Sequence, residues 1–302
     1  MIVIAKKVGR LANRLLLFAH FIGTAVEHGL RVMNPAFANY AHYFPATARD
    51  LLCRFPPACP LPGQRLIREL LYRGVVLTAD SLHWLQQHGR DVGLIRLRRD
   101  QYLDLNSATF LSMVRRHRIV LVQDWFFRGP ANCAKHRDVI RSYLTPWEHY
   151  LARARAIVRP ARERTRFLVG VHVRHTDYEL FKGGRFFYSH QQYRQVMESI
   201  QAAFAEKNVS FLVSSDAPVP PEAFAGLDVI YGTGHELDDL YALAACDRLV
   251  GPPSTYNAWA SFYGGVPRYQ IIDPAEPIEA GAFQVDDGLG HPPLSAKPLG
   301  QS

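Results

Sequence analysis

Three segments in the second half of the sequence end apolar runs with side chains that can hold an anion. Phe167-Leu168-Val169-Gly170-Val171-His172-Val173-Arg174 is apolar until it finishes in His172 and Arg174, with His175 and Asp177 just beyond. An Arg there offers a planar fork of donors to phosphate oxygens and stays charged at any working pH. It can equally pair with Asp177 or Asp216 and only staple a loop. Phe211-Leu212-Val213-Ser214-Ser215-Asp216 ends in hydroxyls and a carboxylate, which also serve as ordinary caps and turns. In the third segment, Asp238-Asp239 opens a helix that runs into Arg248-Leu249-Val250-Gly251, and Ser254-Thr255 opens the next. Free amides and hydroxyls at such a start suit an anion. The Asp239 carboxylate has the acceptors to match a guanine edge. Both carboxylates would also complement a helix dipole.

A fourth block, Gly9-Arg10-Leu11-Ala12-Asn13-Arg14, follows the first apolar run. It lacks the glycines of a dinucleotide fingerprint or a P-loop, yet it sets Arg10 and Asn13 where a strand hands over to a helix. No metal-ligand spacing occurs, and no paired carboxylates or nucleophile–base pair in the first half names a general base.

The elements that must carry these residues are legible from periodicity. Ile2 to Ala5 reads as a strand, Leu11 to His28 as an amphipathic helix ending at Gly29, and Arg31 to Met33 as a short strand. The prolines between Asn34 and Gly63 exclude a regular helix or a central strand. Helical patterns follow at Leu66 to Tyr72, Ser81 to His88 and Ala108 to Arg116, with strand-like runs at Gly74 to Leu77 and Ile119 to Gln123. Pro146 to Val158 reads as a helix and Arg159 to Arg164 as an exposed connection. Beyond it strands and helices alternate: Phe167 to Arg174, His190 to Ala205, Ser210 to Ser214, a helix near Pro221, Asp228 to Tyr231, Glu236 to Ala245, Arg248 to Val250, Thr255 to Tyr263, Arg268 to Ile272. That alternation predicts a doubly wound parallel sheet, with ligands expected outside its carboxyl ends. The division expected is 1–160, 161–272 and a Pro- and Gly-rich tail, 273–302, forming a strap or disordered.

At 302 residues and 48% hydrophobic content the chain can bury two ordinary cores. No run approaches the roughly 18 to 20 apolar residues of a membrane span. Met1-Ile2-Val3-Ile4-Ala5 reads as a strand rather than a secretory signal, so a cytoplasmic protein is expected. Cys53, Cys59, Cys133 and Cys246 have neither metal spacing nor disulfide density; Cys53 and Cys59 can pair, but reduced thiols fit better. The formal charge of +8 suggests an anionic partner. Its Arg residues are dispersed without a basic, aromatic-interleaved stripe, which argues against nucleic acid and reads as solvated faces. Peripheral contact with a membrane stays open.

Together the four blocks resemble the fucosyltransferase superfamily of GT-B glycosyltransferases, from Gly9 to about Pro267. His172-Val173-Arg174-His175-Thr176-Asp177 is similar to its H-x-R-x-x-D block, with His175 where a second Arg is usual. Gly9-Arg10-Leu11-Ala12-Asn13 is similar to its N-terminal G-x-x-G-N block, with Ala12 replacing Gly. Asp239 to Thr255, followed by Trp259 and Gly264-Gly265, matches the third block in order and spacing. The resemblance implies an α/β, GT-B-like fold of two Rossmann-like domains facing across a cleft. It implies inverting, metal-independent transfer of fucose from GDP-fucose to a glycan or other hydroxyl acceptor, with no cofactor. Arg174 would neutralise the leaving β-phosphate, His172 flank the nucleotide, Asp216 belong to the donor site, Asp239 read guanine, and Ser254 and Thr255 hold phosphates. Arg10 and Asn13 would reach the diphosphate and the reacting sugar. A transferase using another nucleotide sugar, or a non-catalytic relative of the same fold, are the alternatives.

Overall fold

A computed structural model of the chain describes residues 1–58, 63–84, 91–98, 100–289 and 297–299. The chain divides into two compact units, Met1–Trp147 with Asp287–Ser302, and Glu148–Asp286. The division falls at Trp147, not at the expected 160, and the tail is split between the units.

The first unit begins with β1 (Ile2–Ile4), α1 (Leu11–His28) and β2 (Val32–Met33). Helix α1 ends where Gly29 turns left-handed, at φ 63°, and returns its N–H to the Ala25 carbonyl, a position at which glycine carries no Cβ penalty. The proline-rich stretch forms 3-10 turns, a single helical turn α2 (Pro45–Ala48) and the edge strand β3 (Arg54–Phe55). Next come α3 (Arg65–Trp84), β4 (Val92–Arg96), β5 (Gln101–Asp104) and α4 (Ala108–Arg116). The unit continues with β6 (Ile119–Gln123), β7 (Phe127–Arg128), α5 (Pro130–Lys135) and α6 (Arg137–Tyr143). The main sheet has the order β3-β2-β1-β6-β4, parallel except for β3, with Val3 opposite Met33 on one side and Leu121 on the other.

The second unit holds α7 (Glu148–Arg164), β8 (Phe167–Val173), α8 (His190–Ala203), β9 (Val209–Ser215) and β10 (Val229–Tyr231). It closes with α9 (Glu236–Leu243), β11 (Arg248–Gly251), α10 (Thr255–Gly264) and β12 (Arg268–Gln270). Its sheet is wholly parallel, in the order β10-β9-β8-β11-β12. Every residue of the central strand β8 is buried, and the two faces divide by parity. Phe167, Val169, Val171 and Val173 join Tyr193, Met197 and Ile200 of α8 in one core. On the other face a Cβ at Gly170 would lie 2.6 Å from Leu243 and 2.7 Å from Leu249, so only glycine lets α9 and β11 approach. Succession reverses between β8 and β11, which places the ligand crevice of an open sheet at their carboxyl ends. A last strand, β13 (Lys297–Pro298), pairs with β5 in the first unit.

Four local expectations change. Gly74 to Leu77 is the middle of α3, not a strand; Val75, Ala79 and Leu82 recur at helical spacing against the sheet, and that tertiary packing overrides a short β-branched run. Arg159 to Arg164 completes α7 through Pro160 instead of forming a connection. Its arginines are tied down: Arg162 to Asp247 at 2.5 Å and Arg164 to Asp228 at 2.7 Å. The helix near Pro221 is one 3-10 turn, Pro221–Phe224. The segment 273–286 is packed, with Ile278 and Phe283 in the core. Cys53 is free and buried, whereas its suggested partner Cys59 lies outside the described residues.

Candidate functional site

Arg174 leaves the end of β8 with its guanidinium between two carboxylates. It lies 2.6 Å from Asp177 and 3.0 Å from Asp216, and 5.4 Å over the Tyr178 ring. The stapling role open in the sequence is therefore present, but the two arms are unequal. Asp177 is half exposed, at 51%, while Asp216 is largely enclosed, at 15%. An exposed ion pair is worth little, so the Asp177 arm is the weaker of the two. The Arg174 Nε is buried with no hydrogen-bond partner among the described residues.

Asp216 organises the turn after β8. Its Oδ1 accepts the His175 N–H at 2.8 Å, and the Thr176 hydroxyl donates to its Oδ2. Burial pushes the Asp216 pKa up, but the His175 amide, the Thr176 hydroxyl and Arg174 outweigh it, leaving the carboxyl below its ordinary value. The same residue lines a cavity of about 450 Å³ with Val213, Ser215, Tyr231, Thr233 and Asp239, at the carboxyl ends of β9 and β10.

His172 is buried and stacks on Tyr256 of α10, with ring centroids 4.9 Å apart. Burial first, and then the Arg174 charge, lower its pKa to about 3. It is therefore neutral at working pH and adds no positive charge to the site. Its Nδ1 has no hydrogen-bond partner among the described residues.

Asp239 is fully engaged. Its Oδ1 accepts from the Thr233 N–H at 2.8 Å and the Thr233 hydroxyl at 3.1 Å; its Oδ2 accepts from Gly234 N–H at 3.1 Å and the Ser214 hydroxyl at 3.4 Å. A carboxylate offers about four such lone-pair positions, so none is left for a base edge. The carboxylate anchors the loop Gly232-Thr233-Gly234, where a Cβ at Gly232 would sit 2.4 Å from Oδ2. The adjacent Asp238 pairs with Arg153 of α7 at 3.2 Å.

Ser254 caps α10, its hydroxyl oxygen accepting from Tyr256 N–H at 3.1 Å. Tyr178 joins this turn to the β8 end by donating its hydroxyl to the Pro253 carbonyl. His172, Arg174, Asp216, Ser254 and Thr255 thus share one sheet edge, and Asp239 shapes the adjoining cavity. Arg10 and Asn13 belong to the first unit. There Arg10 is the exposed residue preceding α1, and Asn13 folds back so that a Cβ at Gly9, whose φ is 52°, would meet it at 1.7 Å.

Sequence reasoning missed Thr233, Tyr193 and Tyr256. The Tyr193 hydroxyl accepts the Arg174 N–H at 3.2 Å. The Gly-Thr-Gly triplet after a strand was the available signal for the loop. The tyrosines sit in ordinary amphipathic patterns and gave none.

The two α/β units give the chain a fold that it shares with two solved fucosyltransferases. A mutant of Arabidopsis thaliana FUT1 in complex with GDP superposes with a TM-score of 0.56 at 13% identity, covering 93% of this chain and 72% of that one. The fucosyltransferase NodZ from Bradyrhizobium gives 0.52 at 16% identity, covering 94% and 97%. No protein-family model and no curated protein matches the sequence.

Proposed function

We propose that the chain is a glycosyltransferase that transfers fucose from GDP-fucose, with inversion and without metal, to a hydroxyl of a glycan or other acceptor. The observation that carries the reading is the shared residue Asp216, which holds Arg174 at the crevice and lines the 450 Å³ cavity beside it. That juxtaposes a cation for a diphosphate with room for a nucleoside. The GDP bound to the Arabidopsis neighbour supports the same donor class. Loss of the diphosphate leaves negative charge on GDP, and a fixed guanidinium aimed at it lowers that barrier. Arg174 serves the β-phosphate, Ser254 and Thr255 the phosphates, and His172 forms a neutral wall. Arg10 and Asn13 keep the roles that the resemblance implies, at the diphosphate and the reacting sugar, and the setting is cytoplasmic.

A second reading keeps the reaction and changes the nucleotide, and the saturated Asp239 favours it because no free carboxylate awaits guanine. Thermal shift with GDP, UDP and dTDP separates the two. A ligand at 100 times its Kd stabilises by about 2.7 kcal/mol, and GDP is expected to do so while the others do not. Arg174→Ala is expected to lose transfer and to melt at a lower temperature while still unfolding cooperatively, because the enclosed Asp216 carboxylate loses its cation. Full activity in that variant, or indifference to every nucleotide, sinks the proposal.

A further inference from the structure

Helix α3 carries apolar residues on two opposite faces. Val75, Ala79 and Leu82 pack against the sheet of the first unit. At 3.6 residues per turn, Leu66, Leu70, Leu77 and Trp84 fall within about 40° of one another, roughly half a turn from that buried face. They are 77%, 66%, 67% and 82% exposed. A solvated helix shows a polar face here, and large exposed apolar patches mark an interaction site.

Charge selects the occupant. Residues 1–147 hold 21 Lys and Arg against 9 Asp and Glu, a formal +12, while residues 148–286 hold 13 against 17, a formal −4. The +8 of the chain is thus concentrated in the unit that displays the stripe. The acids of α3 beside the stripe are neutralised, Glu69 by Lys7 at 2.6 Å and Asp80 by Arg96. Arg73, 3.9 Å from Glu69, emerges within the stripe with its side chain 71% exposed. Two copies meeting through α3 would bring two strongly positive units together, whereas an anionic surface is attracted. Nucleic acid makes no use of a leucine stripe. A lipid interface accepts leucines and an interfacial Trp, and lets Arg73 reach the headgroups. The helix is not long and apolar enough to cross a membrane, and the geometry is that of a helix lying in the interface plane.

We infer that α3 docks the first unit on an anionic lipid bilayer, independently of the donor chemistry of the second unit. The test is flotation of the full chain with vesicles of equimolar phosphatidylcholine and phosphatidylglycerol, beside phosphatidylcholine alone. Binding is expected to the anionic vesicles only, to weaken with salt, and to blue-shift tryptophan emission, a shift that Trp84→Ala removes. The triple variant Leu66→Glu, Leu70→Glu, Leu77→Glu changes only exposed positions and is expected to keep its melting temperature while partitioning at least about 100-fold less. No flotation of the parent, or equal flotation of the triple variant, overturns the inference. So does a dimer in sedimentation that the triple variant dissolves and that vesicles do not compete away.

Discussion

At the scale of single residues, the site separates groups that meet a ligand from groups that hold the site's shape. Asp239 is of the second kind, because four donors converge on its two oxygens. In Asp239→Asn an amide N–H₂ would face donors instead of accepting from them, leaving buried groups unpaired at about 1 to 3 kcal/mol. The expected outcome is a lower melting temperature and weaker binding of every nucleotide. Calorimetry and a nucleotide panel check this; a clean exchange of GDP for another base at unchanged stability would return Asp239 to base reading. His172 gives a pH signature. It takes up a proton near 6.5 when unfolded but only near 3 when folded, so its contribution is complete above about pH 6.5. As pH falls from 6.5 toward 3 the unfolded chain gains a proton that the folded chain refuses, and stability drops by on the order of 4 kcal/mol. His172→Phe, which keeps a ring against Tyr256, should flatten that slope in melting curves taken across the window.

At the scale of elements, one buried side chain holds the least regular part of the first unit. Arg68 of α3 is 4% exposed and donates to the carbonyls of Asp50 at 2.8 Å, Thr47 at 2.9 Å, Ala48 at 3.0 Å and Gly63 at 3.1 Å. It also donates to the Cys53 sulfur, whose thiol burial pushes up to about 12. Arg68→Met is expected to leave several carbonyls without donors and to cost about 3 kcal/mol or more, read as a loss of melting temperature and new protease cutting near residues 47–53. This also shows what the sequence hides. The central strand of the second unit and its polar end were legible because Phe167 to Val171 is an unbroken apolar run, closed by His172, Arg174, His175 and Asp177. An arginine on α3 that bonds to carbonyls of an irregular loop has no periodic signature, since the partners are backbone groups. Gly74 to Leu77 failed for a related reason: four residues carry a β preference, and only the twenty-residue phase of α3 reveals that Val75 and Ala79 share a face.

At the scale of the molecule, the boundaries of the second unit decide whether the candidate site can exist alone. Cutting at 161–272 discards most of α7, which buries Ala154 and Val158 and pairs Arg153 with Asp238 at the start of α9. It also discards Ile278 and Phe283 from the core, and the Arg268 to Asp286 pair at 2.6 Å. Each large side chain removed from a packed core costs about 3 to 5 kcal/mol, which two such losses bring to the whole stability of an ordinary domain. The segment Glu148–Asp286 keeps all of these groups together with Arg174, Asp216, Asp239 and the 254–255 turn. The expectation is that a 148–286 fragment unfolds cooperatively and is still stabilised by GDP. The 161–272 fragment should show neither behaviour. Differential scanning calorimetry with and without GDP decides it: equal melting of the two fragments would mean that α7 and residues 273–286 are dispensable to the fold, and a folded 148–286 fragment indifferent to GDP, beside a responsive full chain, would mean that the second unit does not hold the nucleotide by itself.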